Sequence, residues 1–284
     1  NLANSLQALG KLDEAVTSYN KVIAIKPDYV EAHSNLGNIF KELGQLDEAM
    51  ASFSKAIAIK PDYAMAHSNL GNVLKRQGKL NEALASYKKA ISIKPDYPEA
   101  HSNLLFCMNN SELYSQRDIY AESCRWEAVH GQSESVLQVD HTNNSNPERR
   151  LRIGYISPDF RNHSVSYFVE SLIAGHDRSQ FEVFCYAQVP NPDEKTQHFH
   201  DLADGWRSIV GMTTNDITDC IRSDAIDILV DLAGHTANNL LRVFIKRPAP
   251  IQVTWLGYPN TTGLSAMDYR LIDSITDPVG HGDD

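Results

Sequence analysis

The chain has 284 residues, enough for two domains that each bury a core, and its composition is that of an ordinary globular protein. Its formal net charge of −10 argues against a general nucleic-acid binder and against an anionic-membrane partner. Cys107, Cys124, Cys185 and Cys220 stand far apart with no C-x-x-C pair, so neither a zinc site nor a disulfide framework is indicated and a reducing, cytoplasmic setting is expected.

The first hundred residues repeat themselves. EAHSNLGNIFKELGQLDEAMASFSKAIAIKPDY begins at Glu31, and MAHSNLGNVLKRQGKLNEALASYKKAISIKPDY begins at Met65, 34 residues later. NLANSLQALGKLDEAVTSYNKVIAIKPDY is the remainder of an earlier copy. Period and residues resemble the tetratricopeptide repeat: Leu36, Gly37, Phe40, Ala49, Phe53, Ala56 and Pro61 recur as Leu70, Gly71, Leu74, Ala83, Tyr87, Ala90 and Pro95. His33 and His67 stand where that family often has Trp. Each copy is expected to be a helical hairpin that buries its apolar face only against its neighbours, which gives a superhelix with a concave groove.

Two asparagines recur in each first helix: Asn1, Asn35, Asn69 and Asn103 in one row, Asn4, Asn38 and Asn72 in another. Asparagine is a mediocre helix former, so propensity does not explain them. An amide ladder is able to hold an extended peptide by its backbone; the plain counterpart is a solvated face. A fourth copy opens as AHSNLLFCMNN and then loses the period, and Ser111–His130 reads as a helical cap with Ile119, Tyr120 and Trp126. Ser133–Arg150 is polar and reads as a linker. The expected domains are therefore repeats at 1–110, cap and linker at 111–150, and a catalytic lobe from 151 to 284.

From Leu151 strands and helices alternate. Strands are expected at Leu151–Ser157, Phe181–Ala187, Trp206–Val210, Ile226–Leu232, Ile251–Gly257 and Tyr269–Ile272, with helices at Ser164–Ala174, Asp193–Ala203, Thr213–Asp224 and Ala237–Arg247. Ser164 and Ser166 are the available N-caps of the first of these helices. This order predicts a Rossmann-like α/β lobe with a mainly parallel sheet. No G-x-G-x-x-G follows the first strand and no Walker-type G-x-x-x-x-G-K occurs, which disfavours dinucleotide and P-loop binding.

Ligands of such folds bind outside the carboxyl ends of the strands. Three loops emerge there: DFRNH with Asp159, Arg161, Asn162 and His163; AGHTANN with His235; and GYPNTTG with Tyr258, Asn260, Thr261 and Thr262. A functional site and mere solvation and capping of the turns are the two readings of these polar residues.

RIGYISPDFRNHSVSYF, FEVFCYA, ILVDLAGHT and RPAPIQVTWLGYPNTTG, behind tetratricopeptide repeats, resemble the protein O-GlcNAc transferase family in its bacterial form. The resemblance implies the N-terminal half of a two-lobed GT-B fold. It implies inverting transfer of N-acetylglucosamine from UDP-GlcNAc to Ser or Thr of proteins bound along the repeats, with no cofactor and no metal; no D-x-D triplet occurs. It implies His163 as the active-site histidine, with Asp159 and His101 as further catalytic residues. Asn162, His235, Gly257, Tyr258, Pro259 and Thr262 become donor contacts, and Asn1, Asn35, Asn69 and Asn103 become peptide contacts. Leu240 departs from the arginine usual in bacterial relatives. The general base stays open among His163, Asp159 and a relay through the donor phosphate. In that family a second lobe supplies most nucleotide contacts, so the chain as given is expected to be inactive by itself. A GDP-fucose-dependent O-fucosyltransferase of the same architecture and a non-catalytic repeat scaffold are the alternatives.

Overall fold

A computed structural model describes residues 2–131, 141–146 and 148–273. The chain divides into two units, Asn1–Ser115 and Gln116–Asp284.

The first unit stacks helices α1 (Leu2–Ala8), α2 (Leu12–Ile25), α3 (Val30–Glu42), α4 (Leu46–Ile59), α5 (Ala64–Arg76), α6 (Leu80–Ile93) and α7 (Pro98–Asn109). Within each hairpin the helices approach closely because the first offers no side chain at one position: a Cβ on Gly37 would sit 2.8 Å from the Phe53 ring, and one on Gly71 2.6 Å from that of Tyr87. Ala49, Phe53 and Ala56, and Ala83, Tyr87 and Ala90, are fully buried on the second helices. The repeat histidines are struts. His33 Nε2 lies 2.8 Å from the carbonyl of Pro27, and His67 Nε2 lies 2.9 Å from that of Pro61. Each ties the start of a hairpin to the turn that ends the one before.

The second asparagine row is largely structural. Asn72 Oδ1 accepts from the Tyr87 hydroxyl at 2.8 Å, and Asn4 accepts likewise from Tyr19. Where the partner is Phe53, which has no hydroxyl, Asn38 takes Lys41 Nζ at 3.4 Å instead.

The second unit opens with α8 (Gln116–His130), which begins later than the sequence suggests. There follow β1 (Leu151–Ser157), α9 (Ser164–Gly175), β2 (Phe181–Ala187), α10 (Glu194–Leu202), β3 (Gly205–Ser208), α11 (Thr214–Ser223), β4 (Ile228–Asp231), α12 (Leu241–Ile245), β5 (Ile251–Trp255) and β6 (Tyr269–Leu271). All the strands pair in parallel in the order β3-β2-β1-β4-β5-β6. The direction of winding reverses between β1 and β4, which is the switch point where such sheets open a crevice. Ile153, Tyr155, Val183, Cys185, Val230 and Val253 pack under Phe160, Val169, Ile173 and Phe199 to form the core.

Two segments differ from expectation. Ala237–Arg247 is helical only over Leu241–Ile245. Asn238 sits at φ +59°, and Asn239 donates to the Thr236 carbonyl at 2.9 Å while its Oδ1 takes the Leu241 N–H at 3.4 Å. Short polar side chains that bond locally compete with the helix. The expected linker is anchored at its described end. Asn143 donates to Asp227 Oδ1 at 2.7 Å, and the Arg149 guanidinium grips both Asp227 oxygens at 2.6 Å. Residues 132–140 and Pro147 lie outside the described residues. Among those described, no helix is long and apolar enough to cross a membrane.

Candidate functional site

The register aligns Ile156 of β1 with Asp231 of β4, and Asp231 with Thr254 of β5, so three strands end level with one another. The DFRNH, AGHT and GYPNTTG loops leave from that edge, and the first two flank the switch point.

Asp231 fastens the second loop. Its buried carboxylate accepts from the backbone N–H of Ala233 at 3.0 Å, from that of Gly234 at 2.9 Å and from the Thr254 hydroxyl at 2.9 Å. Burial pushes the carboxyl above its usual range although these donors favour the anion. The sequence signal was available: one acid ending an apolar strand, ILVD.

The second and third loops pack backbone to backbone. A Cβ on Gly257 would lie 2.0 Å from the Leu232 carbonyl oxygen. Gly234, at φ +54°, has room for no Cβ against that of Tyr258, 2.3 Å away. Leu256 is held at φ +72°, a conformation that costs a branched residue about 1–2 kcal/mol. His235 closes the junction. Its Nε2 lies 2.8 Å from the Thr262 carbonyl, and its ring meets Trp126 and Tyr258 edge-on, each at 5.3 Å between centroids. His235, Tyr258 and Thr262 are all buried, whereas Pro259 and Asn162 are exposed. Of the expected donor contacts, then, three hold the loops together and two face solvent.

Helix α8 belongs to this assembly. Glu127 accepts from the Ser265 N–H at 2.9 Å and its hydroxyl at 2.7 Å, Gln116 accepts from Asn260 at 2.6 Å, and Trp126 is fully buried beside His235. A cap of the repeats was expected; the helix instead backs the GYPNTTG loop.

The DFRNH loop is built around its own turn. The Asp159 N–H donates to Ser157 Oγ at 2.9 Å, and the Asp159 carboxylate sits 3.5 Å from Arg161 Nη2. The N-cap of α9 is His163, not a serine: its Nδ1 accepts from the Val165 N–H at 3.3 Å, and Ser166 Oγ donates to the His163 carbonyl at 2.7 Å. An accepting Nδ1 places the proton of a neutral ring on Nε2. Asp159 Oδ2 lies 3.6 Å from the same Nδ1, beyond a hydrogen bond but close enough to favour a proton there. His163 is half-exposed and Asp159 largely buried.

Asp193 steadies the loop from α10. It takes the Asn162 N–H at 2.8 Å and the Thr196 N–H at 2.9 Å, and these bonds hold its carboxyl below the usual range. Asn162 Oδ1 accepts from the Tyr167 hydroxyl at 3.0 Å. The remaining expected residues lie in the first unit. His101 is fully buried at the repeat position of the struts His33 and His67. Asn35, Asn69 and Asn103 are half-buried, and Asn1 lies outside the described residues.

Comparison with known proteins follows the same division. The repeat family matches residues 3–44, 37–78 and 71–104, and "Glycosyl transferase family 41" matches residues 99–284. A probable UDP-N-acetylglucosamine–peptide N-acetylglucosaminyltransferase SPINDLY of Petunia hybrida is 51% identical over 140 residues, 48% of this chain and 15% of that protein. The UDP-N-acetylglucosamine–peptide N-acetylglucosaminyltransferase of Caenorhabditis elegans is 40% identical over 139 residues, 46% of this chain and 12% of that protein. A solved mutant O-GlcNAc transferase of Thermobaculum terrenum superposes with a TM-score of 0.85 at 38% identity, over 94% of this chain and 51% of that one. The chain thus spans about half of the solved relative and a smaller share of the curated ones.

Proposed function

The chain belongs to glycosyl transferase family 41, and from that premise we propose that it supplies the acceptor-binding repeats and the N-terminal catalytic lobe of a protein O-GlcNAc transferase. The observation that carries this reading is the DFRNH loop: a half-exposed histidine, positioned as a helix N-cap at the switch point of a parallel sheet, in a chain that superposes on an O-GlcNAc transferase over nearly its whole length.

Such a transfer joins a Ser or Thr hydroxyl oxygen to C1 of the sugar, with inversion, as the bond from C1 to the diphosphate breaks. The hydroxyl must be oriented, the departing charge stabilised and the hydroxyl proton received. In the tautomer set by its capping bond, His163 offers Nε2–H outward as a donor. It therefore orients an oxygen of acceptor or sugar rather than taking a proton. Asp159 is the group in the loop able to accept one, and it would stabilise a ring whose proton had moved to Nδ1. Asn162 and Pro259 stand exposed on the donor side, while His235, Tyr258 and Thr262 shape the wall behind them. No cofactor is invoked beyond the sugar nucleotide as substrate, in keeping with the missing D-x-D triplet. Asn35, Asn69 and Asn103 would hold an extended protein acceptor by its backbone.

The test is to offer labelled UDP-GlcNAc and labelled GDP-fucose in parallel to the native protein with an unstructured Ser/Thr-rich acceptor. Label is expected from UDP-GlcNAc; label from GDP-fucose alone would overturn the assignment.

A further inference from the structure

The repeat groove carries two cations that the peptide-rail reading does not use. Lys41 and Lys75 occupy the same position in successive first helices, where the flanking copies have Gln7 and Asn109. Both are half-buried. Lys75 reaches from α5 to the next repeat, placing Nζ 3.3 Å from Asn103 Oδ1 and 4.8 Å from the centre of the Phe106 ring. Lys41 Nζ lies 3.4 Å from Asn38 Oδ1. Among the described residues neither ammonium has a carboxylate within ion-pair distance. Glu42, the nearest acid in sequence to Lys41, takes a hydrogen bond from Gln7 at 2.9 Å. Burial is the main influence on both ammoniums and pushes both below the ordinary lysine value.

A lysine in the last turn of a helix commonly serves the helix dipole, but that service needs no burial. Here Arg76, exposed, already donates to the Lys41 carbonyl at 2.8 Å. Lys41 and Lys75 are instead held among the amide rungs, with only neutral oxygens and a ring around them. A cation removed from water and given only neutral neighbours gains from an anion brought to it.

We propose that Lys41 and Lys75 make the groove selective for acidic acceptor segments, each ammonium pairing with an Asp or Glu side chain of a polypeptide whose backbone lies along the asparagines. This rests on the peptide-rail reading and adds side-chain selection to it. Neighbouring first helices pack about 8–10 Å apart, so an extended chain advances about three residues per rung. Acids spaced by about three residues would thus meet both lysines.

The experiment measures binding of the native protein to unstructured, fluorescently labelled peptides that differ only in carrying two Glu or two Gln at that spacing. The Glu peptide is expected to bind about five- to tenfold tighter, and the gap should shrink with added salt. In a Lys41→Gln, Lys75→Gln double variant the two peptides should bind alike, at the level of the Gln peptide. Glutamine keeps the helix propensity, and circular dichroism checks the fold. Equal binding of both peptides to the native protein overturns the proposal, as does a Glu preference that survives the double substitution. An Asn35→Ala, Asn69→Ala, Asn103→Ala variant separates the layers. If it loses both peptides while the native protein shows no Glu preference, the rail stands and the selectivity falls. If the native protein binds neither peptide, both fall.

Discussion

The imidazole Nε2 of His235 lies 2.8 Å from the carbonyl oxygen of Thr262, bonding two loops that leave different strands of the sheet. Trp126 and Tyr258 close on the same ring from either side. Replacing His235 with alanine removes this bond and leaves a cavity between two aromatic rings. The expected loss is about 2–4 kcal/mol of stability, read as a lowered midpoint in chemical denaturation. A drop in midpoint below a tenth of that cost would mean that the loops hold without it.

Gly257→Ala tests the backbone contact directly. The new Cβ would meet the Leu232 carbonyl oxygen at 2.0 Å, and a backbone atom within a sheet edge has little freedom to give way. A destabilisation of about 1–3 kcal/mol is expected, together with displacement of the GYPNTTG loop. Chemical shifts of residues near Thr262 would report the displacement.

At the opposite edge of the sheet, the Arg149–Asp227 pair predicts a pH signature. Burial alone would raise the Asp227 carboxyl, but Arg149, the Arg152 N–H and Asn143 together hold it below the usual range. A depressed carboxyl contributes stability that is complete above its unfolded value, about 3.9, and lost as pH falls through the folded value. Arg149→Met should therefore cost about 1–3 kcal/mol near neutrality, with the gap from the native protein narrowing below about pH 4. Denaturation midpoints across that range measure it. A constant gap would show that packing, not charge, is what Arg149 contributes.

The amide rungs make a separate prediction. Replacing Asn35, Asn69 and Asn103 together by alanine should weaken modification of long unstructured proteins by about tenfold or more, since three hydrogen-bonding rungs act on one chain. Short acceptors that reach only the catalytic loops should change much less. Equal loss on both, with helix content intact, would favour a solvated face over a rail.

Much of this was legible in the residues. The repeat period, the runs of β1 and β2 and the three loops at one sheet edge follow from spacing and from the shared direction of parallel strands. What was not legible depends on contacts distant in sequence or on competition between local bonds. Nothing near Trp126 says that its partner is His235, and no periodicity says that Glu127 meets Ser265. His163 and the serines beside it are all able to cap a helix, and which does so depends on how the loop is pinned at Asp159 and Asp193. The helical pattern of Ala237–Arg247 gave way to asparagine side chains bonding their own backbone.

The central claim is that His163 acts through its outward nitrogen on a bound substrate. Asparagine is among the best N-cap residues, so His163→Asn keeps the capping bond of α9 while removing that nitrogen. The decisive measurement is the rate of label transfer from UDP-GlcNAc to a short acceptor by the native protein, His163→Asn and His163→Ala. The account predicts a loss of about a hundredfold or more in both variants, with stability lowered only in the alanine variant, by about 1 kcal/mol. Native rates in a folded His163→Asn variant would contradict it.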